Sequence, residues 1–283
     1  MTPFLMALTS PSDHWGFVSS TGGLTLGRVK AERAIFPFET DDRLHRGHRL
    51  AGPQTWIELN RSGDVRGVDP WRHHAAKRSL FKHRFGHQLV FEAVLEDIGV
   101  TFSYRWAPSA DLGWIRTCWL SLHASSSPCK VRIYDGLLGL MPPQVDLATY
   151  QGASCLVDAY RRAELIDGTS CALISLESQI SDRPEPRESL KANLIYSVVD
   201  EALEATAWDL NPARLSEQTV DEPQLLRLGC PSAYVMETCV TLNSDRPITT
   251  WSQVIDVHLD HHTLVTRLDH VAPSLDARGV GLT

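Results

Sequence analysis

Asp41 and Asp42 follow the aromatic run Phe36-Pro37-Phe38 and precede Arg43, at the end of a strand-like run where loops carry function. Cleaving or forming a glycosidic bond takes two carboxyl groups facing each other across the sugar. Neighbouring side chains on an extended chain point to opposite faces, so these two aspartates cannot form that pair with one another. The stretch therefore reads either as a sugar-contacting loop or as an acidic turn paired with Arg43 or Arg28. Trp71 sits in the polar run Asp69-Pro70-Trp71-Arg72-His73-His74, where a ring can stack on a pyranose face or pack inward. Trp106 and Trp114 lie in apolar, alternating stretches whose default use is core packing.

Two histidine pairs invite a metal reading. On a helix, His258 and His262 would share one face at the spacing two ligands need. No third ligand accompanies them in the sequence, so no metal is expected. His83 and His87 have the same spacing, but Gly86 marks a hairpin, in which the two histidines are expected too far apart. The chain has no G-x-S-x-G elbow, no P-loop and no G-x-G-x-x-G after a strand. Gly22-Gly23 reads as a hairpin turn with no helix start behind it. No catalytic residue and no cofactor is assigned from the sequence.

The elements that must carry these residues are strands. Val100, Phe102, Tyr104 and Trp106 alternate with Thr101, Ser103 and Arg105, and Tyr234, Met236, Thr238, Val240 and Leu242 repeat the pattern. A period of two means one face buried and the other at least part-wet, as in antiparallel sheets. Turn signals recur at Thr21-Gly22-Gly23, Arg61-Ser62-Gly63-Asp64, Asp97-Ile98-Gly99, Ile166-Asp167-Gly168 and Asn243 to Pro247. Roughly fourteen or more hairpin-linked strands are expected, which suits one very large double-sheet sandwich. Helices are expected to be few: 200–208 and a segment within 256–270. Asp182 to Glu188 reads as an exposed loop, and 273–283 as a frayed tail.

The chain has 283 residues, 43% hydrophobic and 22% charged, a globular composition. A net charge of −7 with scattered lysines and arginines argues against nucleic-acid binding. No apolar run is long enough to span a bilayer, and Met1 to Pro11 lacks the basic start of a secretory signal. The chain is thus expected to be soluble and cytoplasmic. The six cysteines form no C-x-x-C pair and read as reduced, core-packed residues.

Several stretches in order carry a resemblance. They are His14 to Arg28, Ile35 to Arg43, Phe91 to Phe102, Asp135-Gly136-Leu137-Leu138-Gly139-Leu140-Met141-Pro142, Leu156 to Leu165, and Asp182-Arg183-Pro184-Glu185-Pro186. Together they resemble the N-terminal sandwich domain of bacterial cellobiose-phosphorylase-like proteins. The resemblance implies an all-β, galactose-mutarotase-like supersandwich over residues 1–257, with a linker-like helix and tail over 258–283. In that family a helical barrel holding the catalytic acid follows the sandwich. The implied function is a carbohydrate-recognising, non-catalytic domain of a glycan-active enzyme, contacting its sugar through Arg28, Asp41, Asp42, Arg43 and Trp71. The alternatives are a stand-alone mutarotase-like enzyme, an interaction module, or the remnant of a truncated gene. The partners expected are an oligosaccharide and either a helical catalytic barrel or a second copy of the chain, since Val90 and Val94 leave apolar groups on the outer side of a strand.

Overall fold

The computed structural model describes residues 3–166, 169–180, 189–199, 205–215 and 223–279. The chain opens with β1 (Leu5–Leu8), β2 (His14–Ser19), β3 (Leu24–Arg28) and β4 (Lys30–Ala34), then helix α1 (Asp41–Gly47). It continues through β5 (Gly52–Arg61), β6 (Asp64–Val68), β7 (Lys77–Lys82), β8 (Leu89–Leu95), β9 (Val100–Ser109), β10 (Gly113–Leu122) and β11 (Cys129–Leu138). Two short helices, α2 (Leu147–Gly152) and α3 (Ser154–Ala159), precede β12 (Arg161–Leu165), β13 (Ala172–Leu176), β14 (Lys191–Val199) and β15 (Ala205–Asp209). A 3₁₀ turn (Pro212–Leu215), β16 (Leu226–Leu228), β17 (Ala233–Leu242), β18 (Ile248–Asp260) and α4 (His261–Gly279) complete it. The expected turn at 167–168 and the loop at 182–188 lie outside the described residues.

Among the described residues the strands form a four-stranded sheet, β1-β2-β3-β4, a nine-stranded sheet, β16-β12-β13-β14-β18-β10-β9-β8-β7, and a five-stranded sheet, β15-β17-β11-β5-β6. All their pairings are antiparallel. The chain forms the all-β, double-sheet sandwich that its period-two patterning implies. Leu89, Phe91, Ala93 and Leu95 of β8, Phe102, Tyr104 and Trp106 of β9, and Trp114, Cys118 and Leu120 of β10 make one buried face of the large sheet. Trp114 donates its indole N–H to the Gly27 carbonyl of the four-stranded sheet at 3.1 Å, while Arg116, two residues on, reaches Asp135 of the five-stranded sheet. The two smaller sheets therefore lie side by side against the same face of the large one, and one continuous apolar core joins all three.

At the centre of that core is a buried polar knot. Arg116 donates to Asp135 Oδ2 at 2.6 Å, to Gln253 Oε1 at 3.0 Å and to Thr55 Oγ1 at 3.1 Å. Thr55 and the Trp251 indole also donate to Asp135, at 2.7 and 2.6 Å. Both charged side chains are fully buried, and the guanidinium lies 4.7 Å from the centre of the Tyr104 ring. Burial opposes the charge on Arg116, but the adjacent carboxylate outweighs it and holds the guanidinium protonated.

Three sequence expectations change. Residues 205–209 are strand β15 paired with β17, not the end of a helix; with 200–204 outside the described residues, alternation and pairing to a long neighbour outweigh the alanines. The strand β18 runs through Asp260, so His258 lies in a strand and His262 in α4, and the one-face helical spacing is not realised. The helix α4 extends to Gly279, and residues 273–279, expected to fray, continue it. It folds back over the outer face of the large sheet. Leu264, Leu268 and Val271 pack with Ile115, Tyr196 and Val254, and Arg267 bonds to the nearly buried Asp256 at 3.1 Å. No helix among the described residues is long and apolar enough to cross a membrane. Of the cysteines, Cys118, Cys129 and Cys171 are buried as expected, but Cys155 is exposed on α3.

Replacing Arg116 by Met leaves Asp135 buried without its cation, which costs about 3–5 kcal/mol. Urea unfolding should show a loss of this size for Arg116→Met, and Asp135→Leu added to it should restore part of the stability. A second expectation concerns acid. Burial, helped by Arg33, Lys191, Lys30 and Arg28, pushes His258 down to about 4 from its ordinary 6.5. Between those values the unfolded chain takes up a proton that the folded chain refuses, so stability falls as pH drops from 6.5 to 4 and is unaffected by His258 above that window. His258 also has a φ of 61°, a conformation that asparagine adopts readily. His258→Asn should therefore lose less stability than the wild-type chain between pH 6.5 and 4, read as the shift in urea midpoint.

Candidate functional site

The expected acidic loop is a helix. Asp41 and Asp42 form the first turn of α1 and His45 and Arg46 the last, the charge order that complements the helix dipole. Thr40 Oγ1 donates to Asp42 at 2.6 Å, and this bond holds the Asp42 carboxyl below its usual range. The helix is fastened to the β2–β3 turn: His45 Nδ1 lies 2.6 Å from Ser19 Oγ, and Thr21 Oγ1 donates to the His45 carbonyl at 3.0 Å. Gly23 makes the approach possible. A Cβ there would lie 1.9 Å from the Leu44 carbonyl oxygen. The Gly22-Gly23 pair thus serves both the hairpin and the seat of α1.

Helix α1, the α2–α3 pair and the end of β11 enclose a cleft of about 450 Å³, a volume within the range of small-molecule sites. Two ion pairs and a phenol converge on it. Arg43 lies 3.2 Å from Glu39, and Arg161 lies 2.8 Å from Asp158. The ring of Tyr150 stands among them. Burial raises its phenol, the Glu39 and Asp158 carboxylates raise it further, and Arg161 and Arg43 oppose them. Arg161 is almost wholly buried and also donates to the Leu140 carbonyl at 2.7 Å; burial pulls its guanidinium below the ordinary range, with Asp158 opposing. Asp146 caps α2 through Thr149 N and fixes the helix that carries Tyr150.

A second groove, about 580 Å³, meets the first where both touch Leu50, Gly139 and Pro231. Its wall is also polar and braced. Asp69 accepts from the Trp71 and Arg72 amides at 3.0 Å and pairs with Arg72 at 3.3 Å, and Arg72 donates to Gln54 and the His48 carbonyl. Burial raises the Asp69 carboxyl, with Arg72 opposing, and burial lowers the His48 imidazole. His48 and Asp69 share a small inner cavity with Trp71, Tyr104 and Arg116, but its roughly 20 Å³ is room for one water and not for a sugar ring.

Of the residues singled out from the sequence, Arg43 lines the large cleft. Asp41 and Asp42 are exposed on the same helix beside it. Arg28 is elsewhere, bonded to Asp13 at 2.8 Å and 3.9 Å from Asp256. Trp71 is half-buried, edge-on to Phe91 with ring centres 5.1 Å apart, and donates its indole N–H to the Thr21 carbonyl at 3.1 Å. The sequence reading missed Glu39, Tyr150, Asp158 and Arg161. A signal existed for the last two, because a three-residue acid–base spacing at the end of a short helix allows one pair. One histidine pair also differs from expectation: the hairpin turn brings the rings of His83 and His87 to 4.2 Å between centres.

No protein-family model matches the chain, and no curated protein matches it. Among solved structures it is similar to a bacterial glucoamylase complexed with acarbose, at 6% identity and a TM-score of 0.52, over 98% of this chain and 39% of that one. It is also similar to a polysaccharide lyase, at 9% identity and a TM-score of 0.49, over 94% of this chain and 34% of that one. A third is the GalM/aldose epimerase homologue from C. elegans, at 10% identity and a TM-score of 0.45, over 92% of this chain and all of that one. The chain spans under two fifths of the glucoamylase and lyase chains. At such identities the likeness to the glucoamylase shows a shared fold and nothing finer.

The seat of α1 is open to test. Gly23→Ala should displace the helix and cost about 1–3 kcal/mol, with faster amide hydrogen exchange across residues 41–47. Gly47→Ala is the control, since a Cβ there meets nothing within 4 Å; it should leave both unchanged.

Proposed function

We propose that the chain is a carbohydrate-recognising sandwich domain of a glycan-active enzyme and that it holds its sugar in the cleft between α1 and α2–α3. The observation that carries the reading is the convergence of the Tyr150 ring with the Glu39–Arg43 and Asp158–Arg161 pairs on one sugar-sized cleft. A pyranose offers a flat C–H face to an aromatic ring and vicinal hydroxyls that each donate and accept. Carboxylates accept and guanidiniums donate, in adjacent positions, so the pairs can serve neighbouring hydroxyls without a net charge on the ligand. The likeness to the glucoamylase agrees with this reading at the level of fold.

In this reading Arg43 contacts the sugar directly, and Asp41 and Asp42 stabilise the helix that carries it. Arg28 and Trp71, tied into other parts of the fold, hold structure and not ligand. The expected partner beyond the sugar is a helical catalytic barrel supplying the acid that this cleft leaves to another domain.

Isothermal titration of the full chain with glucose, cellobiose and maltose tests the proposal. Binding is expected for at least one of them, and Tyr150→Ala should weaken it at least tenfold while the far-ultraviolet circular dichroism stays unchanged. Trp71→Phe should leave affinity intact. Silence toward every sugar would overturn the reading.

A further inference from the structure

The groove beside the sugar cleft repeats its chemistry. The first cleft offers an aromatic ring, Tyr150, and a braced carboxylate–arginine pair, Asp158–Arg161. The second offers the half-buried ring of Trp56 and the pair Asp69–Arg72, with Gln54 locked to Arg72. Ser232 also lines it; only 1% exposed, its hydroxyl has no hydrogen-bond partner among the described residues. A buried hydroxyl without a partner costs free energy that a ligand hydroxyl or a water at that position would recover.

The rim between the two is apolar and conformationally fixed. Leu50 is 80% exposed there and presents its side chain to both hollows. Gly139 holds the rim from below with a φ of 67°, and a Cβ on it would come within 2.8 Å of the Leu50 carbonyl oxygen. The shared edge is thus an apolar rim between two hollows that each carry a braced ion pair.

Building on the reading of the first cleft as a sugar site, we propose that the two clefts are successive subsites for a neutral oligosaccharide. The chain of sugars crosses the rim at Leu50, with one pyranose against Tyr150 and a following one against Trp56. A glycosidic linkage buries its apolar C–H edges on Leu50, and Asp69, Arg72 and Ser232 take the hydroxyls of the second ring. The ligand class is accordingly an oligosaccharide of at least two units, in preference to a free monosaccharide.

The test is isothermal titration of the full chain with glucose, cellobiose and cellotetraose, and with maltose and maltotetraose. In one of the two linkage series the wild-type chain should bind the tetrasaccharide at least tenfold more tightly than glucose. Trp56→Ala should remove that gain and leave glucose binding unchanged. If Trp56→Ala fails to fold, Ser232→Ala serves instead, since Ser232 lines only the second groove and its hydroxyl has no partner among the described residues to lose; it should cut the gain from chain length and leave glucose binding unchanged. Equal affinity for glucose and both tetrasaccharides, with all binding lost in Tyr150→Ala, would leave a single sugar site and overturn the second subsite. A chain-length gain that survives both Trp56→Ala and Ser232→Ala would overturn it too. Silence toward every sugar would remove the first reading and this one with it.

Discussion

The Arg116–Asp135 pair fixes how the sheets face one another. Arg116 projects from β10 in the large sheet, and Asp135 projects from β11 in the five-stranded one. Hydrophobic burial alone would accept many small slides between the two layers, because apolar contact is non-directional. A fully buried cation meeting a fully buried anion, with Thr55, Trp251 and Gln253 bonded around them, accepts one. The knot adds little net stability over an apolar core of equal volume. Its effect is on register: once β11 is set against β10, the end of β11 at Leu138 and Gly139 has a fixed place, and that end floors both clefts.

From this anchor the site is assembled by close approaches. The β2–β3 turn carries Gly23 up to the Leu44 carbonyl, and Ser19 and Thr21 bind His45, so α1 is set relative to β3 and thus to the large sheet through Trp114 and Gly27. On the other wall, Arg161 begins β12 and bonds back to the Leu140 carbonyl, which ties α3 to the segment just beyond β11. The two walls are therefore referenced to β10 and to the end of β11, the two strands that the Arg116–Asp135 pair joins. Side chains held in this way lose little further freedom when a ligand arrives, which reduces the entropic cost of binding.

What the sequence revealed follows from the reach of its signals. Alternation in β8, β9, β10 and β17 is local and strong, because one face of each is wholly buried; the sandwich was legible from it. Gly22-Gly23 was legible as a turn, but its closeness to Leu44 involves a partner twenty-one residues away and leaves no local trace. Asp41 and Asp42 looked like ligands because acidic residues before a basic one suit both a sugar loop and a helix start, and Thr40 ahead of two aspartates is a helix-start signal that fits an acidic turn equally well. Tyr150, Glu39 and Arg161 are brought together from three separate segments, so their types could be read but their meeting could not. The fate of 205–209 was decided by pairing with β17, a tertiary effect that overrides the helix preference of alanine.

The polar character of the clefts bears on how strongly one of them can bind. Each carboxylate already faces an arginine, so a sugar hydroxyl gains a hydrogen bond only by replacing water, and the net benefit of such an exchange is about 0.5–1.5 kcal/mol. The aromatic contact of Tyr150, whose ring packs against the Met141, Val145, Val157 and Leu176 cluster, adds area on one side only. On the proposed reading, a single pyranose in the first cleft binds weakly, against the rigid-body entropy that every association loses. That loss is incurred once per ligand, whereas hydroxyl and ring contacts accumulate with each sugar unit. On the proposed two-subsite reading, the second braced pair and second aromatic ring across Leu50 supply most of the affinity through the second unit, and the exposed rim at Leu50 is where the two contributions join.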